Sequence, residues 1–443
     1  MLKTFSIGGV HPHENKLSAH QPIITAEVPA KAVILLGQHI GAPAKPVVAK
    51  GDVVKVGTKI AEPAGFVSAA IHSSVSGKVA KIDTIVDASG YAKPAIFIDV
   101  EGDEWEETID RSATLVKECE LPAEEIVKKI ADAGIVGLGG ACFPTQVKLC
   151  PPPSFKAECV IINAVECEPY LTADHQLMLE HAEEIMVGVS ILMKAVKVNK
   201  AFIGIENNKP EAIKILTELV KDEPRITVCP LLTKYPQGGE RTLIYATTGR
   251  EINSSMLPAD AGCVVDNVDT VVAVYKAVIL GRPVMNRIVT VTGDAIASPK
   301  NFTVLTGTNM EELIEAAGGL KTGAAKVISG GPMMGFAMFD LHVPCVKTTS
   351  AFLCLEKDAV SEAQKQMTAC INCGRCVRVC PGRVLPARLA TLAERGDMAG
   401  FEKLNGMECC ECGCCSYVCP AKRPLTQSIK SMRKMVLASR RKK

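Results

Sequence analysis

Two short stretches near the end of the 443-residue chain constrain it more than anything else in the sequence. In "CINCGRCVRVCP" the residues Cys370, Cys373, Cys376 and Cys380 follow the spacing C-x2-C-x2-C-x3-C, with a proline next. Cys409, Cys412, Cys415 and Cys419 repeat that spacing, and Pro420 follows. With this spacing three thiolates on one tight loop cap three irons of a cubic iron–sulfur cluster, and the fourth cysteine crosses to the neighbouring cluster. The expected sets are Cys370, Cys373, Cys376 and Cys419 for one [4Fe–4S] cluster, and Cys409, Cys412, Cys415 and Cys380 for the other. Two sulfurs of "CCECGCC", Cys410 and Cys414, are left over. Four thiolates also suit zinc, but zinc ribbons separate two C-x2-C knuckles, whereas each run here packs four cysteines together. Gly374 and Gly413 are expected to let each loop turn tightly, and "LPARLATLAERGD" between the runs reads as a helix ending at Gly396. Two clusters held this way form a one-electron relay.

The rest of the composition narrows the class. Nineteen cysteines would indicate disulfides in a small secreted protein. The opening "MLKTFSIGGVHPHENK" lacks the apolar core of a signal peptide, however, so a reducing cytosol is the expected compartment. A net charge of +2 gives no global field for nucleic acid, and no nucleic-acid partner is expected. No run reaches the ~18 consecutive apolar residues that would span a bilayer.

Along the chain, residues 1–112 read as β structure. "AKGDVVKVGTKIAEPAGFVSAAIHSSVSGKVAKI" alternates Val and Ile with glycine turns, in a rhythm that resembles the barrel-sandwich fold of biotinyl and lipoyl carrier domains. Where a carrier presents its lysine, this chain has Ser68 to Ser73, so the fold is expected without the carrier function. Residues 113–284 alternate strands and helices. "LPAEEIVKKIADAG" opens them as an amphipathic helix with Gly134 at its end, and "ADHQLMLEHAEEIMVGVSILMKAVKV" reads as one long helix. The alternation predicts a Rossmann-like parallel sheet, with ligands beyond the carboxyl ends of its strands. Three polar loops fall there: "NAVECEPY", "ENN" and "YPQGGERT". Residues 285–356 read as a small α+β module of β-grasp type, and 357–426 as the two-cluster domain. Residues 427–443 are basic without acids and are expected to form a frayed tail; contact with an anionic surface is the alternative. The expected fold class is therefore multidomain, α/β and α+β.

Clusters accept single electrons, so a relay fed by a hydride donor needs a converter of the flavin type. "GIVGLGGACFPTQVKL" presents Gly134, Gly137, Gly139 and Gly140, whose backbone N–H groups can approach a phosphate or ring, and Lys148 adds a point charge. The loop follows a helix rather than a strand, so it is not a dinucleotide fingerprint, and a purely structural turn explains it equally well.

In this order, "GLGGACFPTQVKL", "INAVECEPY", "YPQGGERT" and "VVDNVDTV" resemble the flavin and NADH loops of the flavoprotein subunit of respiratory complex I. With "GGVHPHENK", the barrel-sandwich region, "SGGPMMG" and the two cysteine runs, the chain resembles the RnfC family, subunits of Rnf electron-transport complexes. The resemblance implies a β-grasp module of the SLBB kind and a peripheral subunit on the cytoplasmic face of the cell membrane. Its implied partners are the other subunits of the complex and, through them, ferredoxin. It also implies non-covalent FMN and NAD(H) beside the two [4Fe–4S] clusters. Gly137, Gly139, Gly140 and Lys148 would contact FMN, as would Asn163 and Glu166, and Glu168 would meet NADH. Gly239 and Glu240 would line the nucleotide cleft, Asp266 and Asn267 would stand near the flavin phosphate, and Phe143 would stack on adenine.

The chain departs from the complex I pattern at Leu138 (arginine there), Val165 (aspartate) and Arg241 (a second glutamate). The first two remove polar contacts, which keeps open a non-enzymatic electron wire without flavin; a soluble relative of cobalamin-reductase type is the nearer alternative. Three plainer readings stand beside these. His11, His13 and Glu14 stabilise a turn rather than bind metal. Glu166 and Glu168 cap the following helix, where His175 is a helix-start residue. Cys142, Cys167 and the other scattered cysteines are small buried hydrophobes.

Overall fold

The structure, a computed structural model, describes residues 2–152 and 155–441. Strands β1 (Lys31–Leu35), β2 (Val53–Val54), β3 (Gly77–Val86) and β4 (Ala92–Val100) form an antiparallel sheet in the order β1-β4-β3-β2. Lys45–Pro46, Lys59–Glu62 and Ile71–His72 make a second, three-stranded sheet. Alternating residues such as Ile34, Val54, Ile60, Val79 and Ile96 fill the space between the two sheets, as period-2 patterning requires. Residues 68–77, where a carrier domain would expose its lysine, are all buried. Lys347 holds that segment from outside: its ammonium donates to the carbonyls of Ala70 (2.9 Å) and Gly134 (2.7 Å). Burial lowers this lysine's pKa to about 8. The carrier-like fold has thus become a rigid buttress for the next region.

That region opens with α1 (Ala123–Asp132), which buries Ile126 and Ile130 on one face. Gly134 follows at φ 63°, the left-handed conformation that ends helices. Strands β5 (Cys159–Asn163), β6 (Ala201–Glu206), β7 (Ile226–Leu231) and β8 (Cys263–Asn267) form an all-parallel sheet in the order β7-β6-β5-β8. β5, β6 and β8 are near-continuous runs of buried residues, as strands covered on both faces must be. Helices α2 (Ala173–Glu180), α3 (Ala182–Ala195), α4 (Pro210–Leu219), α5 (Glu240–Thr248) and α6 (Val268–Leu280) accompany it. The single long helix expected over α2 and α3 is in fact two. The chain bends at His181 (φ −124°, ψ 28°), so that α2 packs toward the following module while α3 lies along α6. One straight helix could not follow both surfaces.

Strands β9 (Asn286–Thr292), β10 (Lys300–Leu305), β11 (Lys326–Ser329) and β12 (Ala351–Leu355) build a mixed sheet, with α7 (Met310–Ala316) across it. Ile23–Thr25, from the beginning of the chain, pairs in parallel with β10 at the sheet's edge. The cysteine-rich part follows: α8 (Arg375–Arg378), α9 (Pro386–Glu394), α10 (Cys414–Tyr417) and α11 (Leu425–Arg441). The basic segment is not a frayed tail as far as the described residues reach. It continues α11, which buries Leu425, Ile429, Met432 and Val436 against Leu389 and Phe401. That apolar face, with a repeat of three to four residues, overrides the repulsion among the basic residues on the other side.

Candidate functional site

The glycine loop and the carboxyl ends of β5 and β8 meet at one edge of the parallel sheet. Lys148 donates to Asp266 Oδ1 (2.8 Å) and to the carbonyl of Val265 (3.0 Å). Asp266 Oδ2 is buried without a partner, an acceptor that a bound group's donor would satisfy. A Cβ on Gly139 would come within 2.9 Å of Asn267 Cβ, whereas one on Gly140 would meet nothing within 4 Å. Gly139 is therefore needed for close packing. Gly140, at φ 114°, lets the backbone turn while leaving the outer face of the loop open. Gly137 lies buried under the loop and donates its N–H to the carbonyl of Phe143 (2.9 Å), whose ring is half-buried. Asn163 reaches across to the carbonyl of Gly238 (2.9 Å), linking the first and third loops. Asn267 caps α6 through Asp269 N (2.9 Å) and donates to Asp174 (2.7 Å). Burial, with Glu166 and Asp269 nearby, raises the Asp174 carboxyl to about 7. A glycine loop with an open outer face, an ammonium and an unpaired carboxylate oxygen form a cradle that fits a phosphate-bearing flavin.

The two acidic residues of "NAVECEPY" are engaged within the protein. Glu166 accepts from Asp174 N (2.7 Å) and His175 N (3.2 Å), which makes it the cap of α2. Glu168 is turned toward the "SGGPMMG" loop and accepts from Met333 N (3.1 Å) and Met334 N (2.9 Å); burial raises its carboxyl to about 7. Glu166 (φ 49°) and Tyr170 (φ 71°) both lie in the left-handed region, a strain of order 1–3 kcal/mol each that the surroundings must hold. Lys16 does much of that holding. Its ammonium donates to the carbonyls of Glu166 (3.1 Å), Glu168 (3.0 Å) and Leu171 (2.6 Å). Glu14 assists, its carbonyl accepting from Tyr170 N (2.8 Å) and its carboxylate from Asn208 (2.8 Å). "HENK" is thus a strap across the loops, and His11 belongs to it through the carbonyl of Thr233 (3.1 Å).

Gly239 and Glu240 line a cavity of about 420 Å³. Its other walls include Tyr245, Asn253 and Met334, and the cysteine-rich part adds Glu408, Cys410 and Cys412. Burial raises the carboxyl of Glu240, while nearby Lys148 opposes the rise. Arg241 turns away from the cradle to Glu408 (3.0 Å). Glu408 also accepts from Ser254 N (2.9 Å) and from the Ser254 hydroxyl. Where complex I has a glutamate, this chain has a cation that ties the nucleotide region to the second cysteine loop.

Cys370, Cys373, Cys376 and Cys419 line one cavity of about 190 Å³. Four sulfurs around a space of that size suit a cube; a single zinc would draw them to about 2.3 Å from one centre. On the other side, Cys380, Cys409 and Cys415 lie close enough to raise one another's pKa, in addition to the effect of burial. The thiol of Cys412 lies beside those of Cys410 and Cys414. Cys414 is fully buried, packing with Tyr235 and Val10 at the seam with the nucleotide region. Of the scattered cysteines, Cys142, Cys159, Cys229, Cys263, Cys345 and Cys354 are buried, but Cys150 is exposed and Cys119 and Cys167 are half-buried.

Sequence reasoning missed Lys16, Lys347 and Arg287. Arg287, on β9, donates to the carbonyl of Leu138 (2.9 Å) and pairs with Asp269, so it braces the glycine loop from a neighbouring module. Leu138 itself points into the core. A lone cation in the sequence carries no sign of such a role. The only available signal was that Arg287 sits in an otherwise apolar strand.

Known proteins give the same layout. Residues 3–103 match the family described as the RnfC barrel sandwich hybrid domain, and 130–276 the Nuo51 FMN-binding domain. Residues 288–337 match the SLBB domain, and 363–385 a 4Fe-4S binding domain. Over 437 residues the chain is 45% identical to the RnfC-type subunit of the Na+-translocating ferredoxin:NAD+ oxidoreductase complex of Acetobacterium woodii, covering 98% of both chains. It is 46% identical to the proton-translocating counterpart of Clostridium ljungdahlii, covering 98% of this chain and 94% of that one. The corresponding subunit of the ion-translocating oxidoreductase complex of Pseudomonas aeruginosa is 41% identical over 88% of this chain, which spans 50% of that longer protein. Among solved structures, an NAD+-reducing [NiFe]-hydrogenase in the H2-reduced state superposes with a TM-score of 0.50 at 20% identity. The superposition covers 70% of this chain and 63% of that one, a likeness of fold.

Proposed function

We propose, because this chain belongs to the RnfC family of subunits of ion-translocating ferredoxin:NAD+ oxidoreductase complexes, that it is the NAD(H)-binding flavo-iron–sulfur subunit of such a complex. The observation that carries the reading is the continuity of one molecule. A glycine and lysine cradle at the sheet edge is joined, through the 420 Å³ cavity and the Arg241–Glu408 pair, to two sets of cysteines. FMN, when bound, accepts a hydride from NADH and releases electrons singly.

The residues divide the remaining work. Gly139, Gly140 and Lys148 hold the flavin phosphate, with Gly137 shaping the loop beneath and Asp266 fixing Lys148. Asn163 and Asn267 orient the flavin from the two strand ends. Glu166 acts through the helix it caps. Gly239 and Glu240 shape the NAD(H) cleft, Phe143 offers a face for adenine, and Glu168 steadies the wall formed by Met333 and Met334. Cys370, Cys373, Cys376 and Cys419 hold one cluster; Cys409, Cys412, Cys415 and Cys380 hold the other. The domain limits are 1–112, 113–284, 285–356 and 357–441, the last including α11.

Among the described residues no helix is long and apolar enough to cross a membrane. The protein binds peripherally to the membrane subunits of its complex, on the cytoplasmic face where NAD(H) is found, and meets ferredoxin through them. The test is anaerobic. The chain is reconstituted with iron, sulfide and FMN, NADH is added, and flavin bleaching is followed together with the reduced-cluster EPR signal. Bleaching followed by a cluster signal supports the reading. Clusters that assemble beside a flavin NADH leaves oxidised would make the chain an electron wire.

A further inference from the structure

The two cysteine loops face different surroundings. The loop beginning at Cys409 is closed in by the nucleotide region: Glu408 is tied to Arg241 and Ser254, and a Cβ on Gly413 would lie 2.9 Å from the carbonyl of Met333. Cys412, Cys414 and Cys415 are buried. The loop beginning at Cys370 is open: residues 364–375 are all exposed, Cys370 and Cys373 among them, and a Cβ on Gly374 would meet nothing within 4 Å. Around its cavity stand exposed apolar residues, Ile371 (64% exposed), Leu385 (43%) and Val377 (40%).

The charges around this open loop are of one sign. Arg375, Arg378, Arg388 and Lys422 are exposed, and none has a carboxylate partner among the described residues. Over 366–396 and 416–426 the sequence has one acid, Glu394, already paired with Arg423 (2.6 Å). The closed loop, in contrast, carries Glu408 and Glu411, both paired within the protein. An apolar centre with a basic rim is complementary to a protein surface with an acidic rim.

We infer that electrons pass between the nucleotide region and the Cys409 cluster, then to the Cys370 cluster, and cross there to an acidic one-electron carrier protein docked on this face. This rests on the functional reading above. The balance is NADH plus two oxidised carriers giving NAD+, a proton and two reduced carriers, and the reverse when reduced carrier is supplied.

The test uses the full chain reconstituted with FMN, iron and sulfide, and a reduced acidic two-[4Fe–4S] ferredoxin as the probe in anaerobic stopped flow. The variant R375E/R378E/R388E removes no ligand and should keep both EPR signals. The second-order rate of reduction by the probe should fall at least about tenfold, and the parent's own rate should fall with added salt. The matched variant K31E/K45E/K50E, on the barrel-sandwich region, should react like the parent. Equal rates in all three, or equal slowing in both variants, would overturn the docking face. With Cys373→Ala, NADH should still reduce the Cys409 cluster while the probe reacts poorly; the opposite pattern would overturn the order. If NADH fails to bleach FMN in the parent, the functional reading falls instead, and probe rates still decide the docking face.

Discussion

The two cysteine loops have the same backbone and opposite environments. Asn372 and Glu411, at matching positions, have φ 54° and 58°; Gly374 and Gly413 have 72° and 82°; Arg383 and Lys422 have 55° and 54°. A four-residue helix follows the glycine in both, α8 in one and α10 in the other. The spacing of the cysteines therefore repeats a conformation, down to its left-handed residues. What differs is a handful of side chains at equivalent places. Glu408 stands where the other loop has Ala369, and Glu411 where it has Asn372. Glu408 reaches Arg241 and Ser254, and Glu411 reaches Arg433 and Lys430 (3.8 Å) on α11. Chelation is set by the repeat, and the neighbour of each cluster by what departs from it.

The largest test of this division is Cys409→Ala. It should abolish one cluster, leaving about half the iron, while NADH oxidation by an artificial acceptor stays largely intact; iron analysis, EPR and steady-state rates check it. Loss of flavin reduction as well would show that the two parts are not modular. A chelator added to the oxidised holoprotein gives the next effect. The cluster with exposed Cys370 and Cys373 should be lost several-fold faster than the one behind buried Cys412 and Cys415, and equal loss would erase the contrast between the loops.

Glu408→Ala should act more mildly. Its pair with Arg241 is about one-third exposed, so the contact contributes ~1 kcal/mol at most. Both clusters should remain, and NADH-driven reduction of the clusters should slow while flavin bleaching does not. An unchanged rate would mean that the seam is held by packing alone. The smallest effect belongs to Cys410→Ser, which should leave both EPR signals and the iron content unchanged. A missing cluster in that variant would overturn the assignment of Cys412 as the ligand.

The same contrast explains what could be read from the chain. Local features survived almost intact: the turns at Gly374 and Gly413, the helix before Gly396, the parallel strands, and Gly134 closing α1. The long helix was misread because its apolar repeat runs straight through His181, and only the demands of two different packing surfaces bend it there. The basic end was misread because its charges hid an apolar face that needs Leu389 and Phe401 to have value.

The sequence by itself determined the cluster loops, because their geometry is fixed by sulfurs and glycines a few residues apart, where backbone conformation dominates. It also determined the glycine cradle and the parallel sheet that carries it. Only the tertiary structure decided that Lys16 straps the "NAVECEPY" loop, that Arg287 and Lys347 brace the glycine loop from other modules, and that Glu168 turns to Met333 and Met334. Each of these is a contact between residues more than 100 positions apart, made by a charged group whose partners are backbone atoms. Backbone N–H and C=O groups are the same at every position, so no pattern of residue types records which of them a distant side chain will meet.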